Sequence, residues 1–370
     1  MTVSADYQRL TAAESQSGLP LVGQLLAYAA TGAPLGHDNR QFAWRPEGVN
    51  ARQFQWAVDG GLGPLLHRAT RDCADVVPTA WREALLSADL TARVRHGNLV
   101  DSTLEIIEVC AGLQAGATLL KGISVSEEFY PAEHLRPMAD IDVLIPAHAY
   151  ASVEAALLEC GYGRLNHPAI DGHHHGAPLR HAARRTIVEL HTVLFRSDSP
   201  LCERLLFSLP NVLRRSVRSL YHAMPVKRLS HELQLAYIAS SWFNDLTQCK
   251  VHPSFVASLL DAVYLLSACR QTLQWKKMLE WLDNDMAKAS LYTMVTYLPR
   301  YGVEPLSPAD LALLASAQRL VGPIQLRMIH RMLDRHLIGG RPWNFAFPPP
   351  VPGRYSVSQQ FRKKILSRLR

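Results

Sequence analysis

The sequence predicts an α+β protein that is mostly helical, with a small sheet core flanked by N- and C-terminal helical regions. Apolar residues recur every three or four positions from residue 5 to about 115 and again from about 201 to 340, which is typical of helices. Between these regions lie three short runs of apolar and β-branched residues, which are typical of strands. We therefore expect four segments: an N-terminal helical region (1–95), a core (96–200), a C-terminal helical region (201–340), and a Pro-rich linker with a basic tail (341–370).

The first clear elements lie before residue 123. Pro78 and a Thr79 cap precede an apolar-periodic segment, and the periodicity continues without proline from Leu90 to Leu113. This pattern predicts a long helix. The short apolar run that follows, from Ala117, predicts a buried strand that ends at Gly122.

The remaining core elements follow the same logic. Ile141–Pro146 predicts a second strand closed by its proline, His148–Cys160 predicts a helix, and the alternating run Thr186–Phe195 predicts a third strand. In the C-terminal region, helical periodicity is clearest over 231–246, 254–268 and 309–320.

Composition excludes several classes of protein. With 48% hydrophobic and 19% charged residues in 370, the chain is neither disordered, nor collagen-like, nor a disulfide framework. Its six cysteines stand far apart without a CxxC pair, which favours buried thiols in a reducing compartment over disulfides or a zinc site. No apolar run approaches the ~18–20 residues of a membrane span. The N-terminus lacks the pattern of a signal peptide. We expect a cytoplasmic protein without a transmembrane segment.

Two aspartates at the start of the second strand are the first chemical signal. Asp140 and Asp142 are two residues apart, so both carboxylates point to the same face of a strand. Two carboxylates this close repel, and one is driven towards protonation unless a cation lies between them. Oxygen ligands of this kind suit Mg²⁺ or Mn²⁺. The alternative is a pair of solvated aspartates at a strand end.

Glu189 strengthens the metal hypothesis. It lies in an otherwise apolar strand, where a lone carboxylate is costly to bury, and it shares a face with His191. If this strand pairs beside the second strand, Glu189 completes a cluster of three carboxylates that could hold two metals. The alternative is a partly exposed glutamate paired with Arg184 or Arg185.

These motifs resemble a known family. The residues Leu120-Lys121-Gly122, Tyr130, Arg136 through Ile145, and Val188-Glu-Leu-His191 resemble the uncharacterised nucleotidyltransferase-like family of the DNA polymerase β-type nucleotidyltransferase superfamily. The resemblance covers about residues 95–195 and implies a polymerase β-like sheet core. The usual Gly-Ser turn of the superfamily is absent, and Lys121-Gly122 stands in its place.

The resemblance implies a role for each matching residue. Asp140 and Asp142 would bind both metals, and Glu189 would bind the metal that activates the acceptor. Gly122 would let the backbone approach the triphosphate of an NTP. Lys121 would reach its β- and γ-phosphates, unless it is a solvated lysine at a strand end.

Arg136 has three alternative roles. It would contact a phosphate or brace the loop before Asp140, or else form a salt bridge with Glu133 or Glu128.

The histidines are open to several interpretations. His191 would orient Glu189, or it is a core histidine bonded to the backbone. The cluster His173–His175, with His174 at its centre, would contact the acceptor or nucleotide, bind zinc, or line a polar loop.

The C-terminal tail is basic. From Arg354 onwards there are six basic residues and no acid, so the rest of the chain carries only about +1 of the net charge of +7. Apolar residues at helical spacing from Phe361 predict a short amphipathic helix. It would contact an anionic partner, such as RNA, a membrane surface or an acidic protein, or else dock on the body.

We therefore expect a metal-dependent nucleotidyltransferase that moves NMP from an NTP, ATP among them, to an acceptor with release of pyrophosphate. A small molecule, a peptide or protein, and RNA remain open as acceptors, and family analogy favours a peptide or natural product. The alternatives are a toxin-like enzyme that modifies tRNA or another RNA, and a non-catalytic scaffold that binds nucleotide.

Overall fold

The computed structural model describes residues 20–32, 51–71, 77–165, 176–247, 255–303 and 306–340. The α-helices within these ranges are α1 (Leu21–Thr31), α2 (Ala51–Asp59), α3 (Gly63–Ala69), α4 (Thr79–Gly112), α5 (Lys121–Phe129), α6 (Tyr150–Glu159), α7 (Leu209–Arg214), α8 (His231–Thr247), α9 (Val256–Cys269), α10 (Trp275–Trp281), α11 (Asp285–Tyr297), α12 (Pro308–Ala317) and α13 (Pro323–Met332). The strands are β1 (Thr118–Leu119), β2 (Ile141–Leu144), β3 (Tyr162–Arg164), β4 (Leu179–His181), β5 (Ile187–His191), β6 (Ser216–Tyr221) and β7 (Met224–Leu229). The predicted class is confirmed: the protein is mostly helical, and its helices surround one mixed sheet.

All seven of these strands belong to one sheet, in the order β3-β4-β5-β2-β1-β7-β6. The pairs β2–β5 and β1–β7 are parallel, and the other neighbouring pairs are antiparallel. The central pair β2–β5 therefore places the beginnings of two predicted strands side by side. This arrangement positions the candidate site.

The long helix predicted from periodicity is confirmed as α4, which has 34 residues. Its N-cap is Pro78, whose proline φ suits a helix start, and Thr79 is the first helical residue rather than a cap. The C-terminal half of α4 packs on the sheet through buried residues at helical spacing, among them Leu99, Ile106 and Cys110.

The strand predicted to end at Gly122 is shorter than expected. Only Thr118 and Leu119 pair in the sheet, and Leu120 is extended before α5 begins at Lys121. The prediction was wrong at this end because apolar Leu120 is buried by the packing of a helix start, which a short apolar run does not distinguish from a strand.

The expectation that residues 201–340 are helical was wrong for one segment. Strands β6 and β7 form a hairpin whose two loop residues, His222 and Ala223, both have positive φ angles (44° and 69°). Positive φ at both loop positions is typical of the tight turns that match the twist of a hairpin. Since β7 pairs with β1, the sheet extends beyond residue 200. The helices predicted over 231–246, 254–268 and 309–320 are present as α8, α9 and α12.

Two apolar clusters hold these elements together. The larger one joins both ends of the described chain, because Leu25 and Leu65 from the first helices belong to the same cluster as Leu260 and Leu291. The smaller cluster lies between the sheet, α4 and α6. Each fully buried leucine contributes ~1.5–3 kcal/mol relative to an exposed one, so the two helical regions stabilise each other. No helix among the described residues is long and apolar enough to cross a membrane.

Candidate active site

The candidate site lies on the parallel pair β2–β5. The register places Asp142 opposite Glu189 and Leu144 opposite His191. Because side chains alternate along a strand, Glu189 and His191 share a face with Asp142. One ligand atom from each of Asp142, Glu189 and His191 lies within 4.8 Å of the others. The strand pairing that the sequence hypothesis required is therefore present.

His191 is bonded to a carboxylate rather than to the backbone alone. Its ring is fully buried, and its Nε2 lies 2.6 Å from Oδ1 of Asp142 and 3.7 Å from Oε2 of Glu189. The shorter contact identifies Asp142 as its main partner, whereas the sequence hypothesis placed it on Glu189. The hydrogen bond fixes the orientation of the Asp142 carboxylate.

The surrounding charges shift the pKa values of the two aspartates in opposite directions. Burial and the negative charges of Asp142 and Glu189 raise the pKa of Asp140 to about 7. Burial also acts to raise the pKa of Asp142, but the positive charge of Lys121 and the hydrogen bond from His191 outweigh it and hold that pKa well below its usual range. Asp142 therefore stays ionised, whereas repulsion from the other two carboxylates favours the protonated form of Asp140.

Lys121 faces this cluster. Burial would lower the pKa of its ammonium, but the charges of Asp142, Tyr237 and Asp140 outweigh burial and raise it. Its Nζ lies 5.3 Å from the centre of the Tyr237 ring, a cation–π contact. Its φ of 41° lies in the left-handed region, which residues other than glycine rarely adopt. The alternative of a solvated lysine at a strand end does not describe this environment.

Gly122 leaves space that its neighbours use. A Cβ at this position would lie 2.5 Å from Nη1 of Arg136 and 2.9 Å from Sδ of Met138. Both distances are shorter than normal Cβ contacts, so a side chain at this position would displace the ends of the Arg136 and Met138 side chains. Arg136 and Met138 therefore lie on the side of Gly122 where another residue would carry its side chain.

Arg136 binds an aspartate that the sequence hypothesis did not include in the site. Its Nε and Nη2 donate to the two carboxylate oxygens of Asp261 at 3.0 and 2.7 Å, and its Nη1 donates to the carbonyl of Pro137. The hydroxyl of Tyr130 donates to the same carboxylate at 2.7 Å. Burial acts to lower the pKa of Arg136, but the charge of Asp261 outweighs it and raises that pKa. The arginine therefore braces the loop before Asp140 against α9.

The two glutamates proposed as partners of Arg136 bind elsewhere. Glu133 accepts hydrogen bonds from His96 and His222, and Glu128 binds His231. Neither forms an ion pair with Arg136 among the described residues.

Sequence reasoning missed two residues supplied by the C-terminal helices. Tyr237 of α8 and Asp261 of α9 lie more than 40 residues beyond the predicted strands of the core. Asp261 carried a signal, because an aspartate within the apolar run of α9 is costly to bury without a partner. Tyr237 carried none, because a tyrosine in an apolar helix is usual. His174, the rest of the histidine cluster and the basic tail lie outside the described residues.

The family model for uncharacterised nucleotidyltransferases matches residues 50–301. No curated protein matches the chain. Among solved structures, a crystal structure of an antigenic nucleotidyltransferase-like protein from Paracoccidioides brasiliensis is similar at 15% identity with a TM-score of 0.34, over 60% of this chain and 94% of that chain. Since the family match spans more than half of the 370 residues, the predicted family is confirmed, and the chain belongs to the family of uncharacterised nucleotidyltransferases.

Proposed function

We propose that the protein transfers NMP from an NTP, ATP among the candidates, to an acceptor hydroxyl or similar group, with release of pyrophosphate and dependence on Mg²⁺ or Mn²⁺. The observation that carries the proposal is the convergence of Asp142, Glu189 and His191 within 4.8 Å, near Lys121, whose pKa the charge of Asp142 raises. The family membership supports the reaction class.

The donor set fits a divalent cation. The carboxylates of Asp140, Asp142 and Glu189 would hold it. Burial and the charges of the other two carboxylates raise the pKa of Asp140, and a cation between them would offset that repulsion. Carboxylate oxygens are the ligands that Mg²⁺ and Mn²⁺ prefer. When bound, such an ion supplies charge neutralisation for the triphosphate and the attacking oxygen.

The other side chains of the site each have a separate proposed role. His191 holds Asp142 in one orientation, and Lys121 supplies a positive charge beside it that could meet the β- and γ-phosphates. Glu189 is more open than Asp142, with 22% against 8% of its side chain exposed, which suits the carboxylate on the acceptor side. The acceptor oxygen forms a bond to the α-phosphorus as the bond to the pyrophosphate oxygen breaks.

The charge of the chain bears on the class of acceptor. Outside the tail the chain is nearly neutral, whereas extended RNA binding usually needs a basic stripe across the fold. The charge therefore argues against RNA, and family analogy favours a peptide or natural product among the other acceptors. An RNA end becomes one outcome of the test.

The test uses the purified protein with each of four α-labelled NTPs and Mg²⁺ or Mn²⁺. Cell extract is separated into RNA, protein and small-molecule fractions before addition. We expect label in one fraction, lost in Asp142→Asn and kept in Asp101→Asn, which removes an exposed acid from α4. NTP binding without label in any fraction and without pyrophosphate would support the scaffold instead.

A further inference from the structure

A groove on the N-terminal side of the loop before Asp140 is separate from the carboxylate cluster. It has a volume of about 470 Å³ and lies between α3, α4 and residues 134–138. This volume is typical of small-molecule sites. None of the three carboxylates lines it.

Small residues form much of the groove wall. On one face of α4 the positions facing it are Ala84, Ala88, Thr91 and Ala92, which leave room beside the helix. Gly63 allows close packing of the opposite wall, because a Cβ there would lie 2.7 Å from Cβ of Ala88. The sequence therefore maintains a gap along α4 that larger side chains would fill.

Two arginines and two histidines line this groove. Arg95, His96, His134 and Arg136 line it, and no aspartate or glutamate does so among the described residues. Arg136 is neutralised by Asp261, but Arg95 is exposed and has no ion-pair partner within the described part of the chain. The groove therefore presents an uncompensated positive charge.

His96 lines the groove one residue after Arg95. Its Nε2 lies 2.8 Å from Oε2 of Glu133, which fixes the ring, while its Nδ1 is buried without a hydrogen-bond partner among the described residues. Glu133 therefore orients the ring, and His96 forms part of the groove wall rather than a contact to a ligand.

We propose that this groove binds a small organic anion, whose phosphate or carboxylate group contacts Arg95 and whose apolar part lies against Leu99 and Met138. Arg95 supplies the positive charge, and the small residues of α4 leave the space. Met138 is two residues from Asp140, so the ligand contacts the segment that carries this aspartate. The proposal does not rest on the transfer reaction, because binding is measured directly.

The test is calorimetric titration of the full chain with phenyl phosphate in EDTA, which keeps divalent cations away from the carboxylates. We expect Arg95→Ala to raise the Kd about tenfold, since a hydrogen bond to a charged group is lost. Ala92→Phe, which fills the groove, should abolish binding. Arg82→Ala removes the same charge from α4 outside the groove and should leave the Kd unchanged. Inorganic phosphate and benzyl alcohol should each bind more weakly than phenyl phosphate.

Three results would overturn the proposal. The first is no binding of phenyl phosphate to the wild-type protein, and the second is an equal Kd in the wild type, Arg95→Ala and Ala92→Phe. The third is loss of binding in Asp142→Asn with retention in Arg95→Ala, which would place phenyl phosphate at the carboxylates. ATP titrations show whether the groove binds the nucleotide or a separate anion. We expect Arg95→Ala to leave the Kd for ATP unchanged, and a tenfold rise in that Kd would assign the groove to the nucleotide instead.

Discussion

The pair formed by Arg136 and Asp261 offers the sharpest test of how the site is held. Arg136→Met removes both hydrogen bonds to a carboxylate whose side chain is only 2% exposed, and Tyr130 remains as its partner. Removing one member of a buried pair leaves an uncompensated charge and costs ~3–5 kcal/mol. We therefore expect a loss of that size in the free energy of unfolding, which is a large part of the ~5–15 kcal/mol of a typical protein.

The assay is urea unfolding at neutral pH without metal. Arg164→Met is the matched control, because Arg164 donates two hydrogen bonds of similar length to Glu154 but has 57% of its side chain exposed. Solvent screens that pair, so its loss should matter far less. Adding Asp261→Asn to Arg136→Met should recover part of the stability, since the amide is neutral and still accepts from Tyr130.

The reasoning would be refuted by a loss within ~0.5 kcal/mol, the usual range for surface substitutions. The same result combined with weakened NTP binding would instead make Arg136 a phosphate contact. Stability and NTP affinity therefore distinguish the two hypotheses that the sequence left open.

Three further predictions concern individual side chains. Without metal, Asp140→Asn should raise the melting temperature because it relieves repulsion, whereas Asp142→Asn should lower it because it removes attraction to Lys121; equal shifts would contradict the charge distribution described. Burial lowers the pKa of His330 to about 3, so as the pH falls the histidine takes up a proton in the unfolded chain before it does so in the folded protein. The free energy of unfolding should therefore fall by ~2 kcal/mol from about pH 7 to about pH 5. Urea unfolding of His330→Gln should show a smaller fall over the same pH range. Glu189→Gln should bind NTP but lower the rate of label transfer by ~10²-fold, and a rate near wild type would remove it from the site.

The local part of the site could be predicted from the sequence. The side-chain period of two along a strand places Asp140 on one face with Asp142, and Glu189 on one face with His191. Parallel pairing of the two strands then brings Asp142 opposite Glu189. These relations depend on a few neighbouring residues and on one strand pairing, so the alternation of residues in the sequence is enough to predict them.

The rest depends on contacts between distant segments. The β6–β7 hairpin was missed because its turn, His222-Ala223, lacks the Gly or Asn that marks such turns. Its outer strand also exposes Val217 and Leu220, which blurs the expected alternation. The contact between Arg136 and Asp261 spans 125 residues, and no periodicity in either segment encodes it.

The charge balance of the site links its structure to the proposed chemistry. Three carboxylates, those of Asp140, Asp142 and Glu189, face one half-buried lysine, because Asp261 neutralises the nearby Arg136. The free protein relieves the excess negative charge partly by raising the pKa of Asp140. A divalent cation would supply the two missing positive charges and make protonation unnecessary. If Mg²⁺ or Mn²⁺ binds, it should therefore stabilise the wild type more than Asp140→Asn, and equal stabilisation of both would place the cation elsewhere.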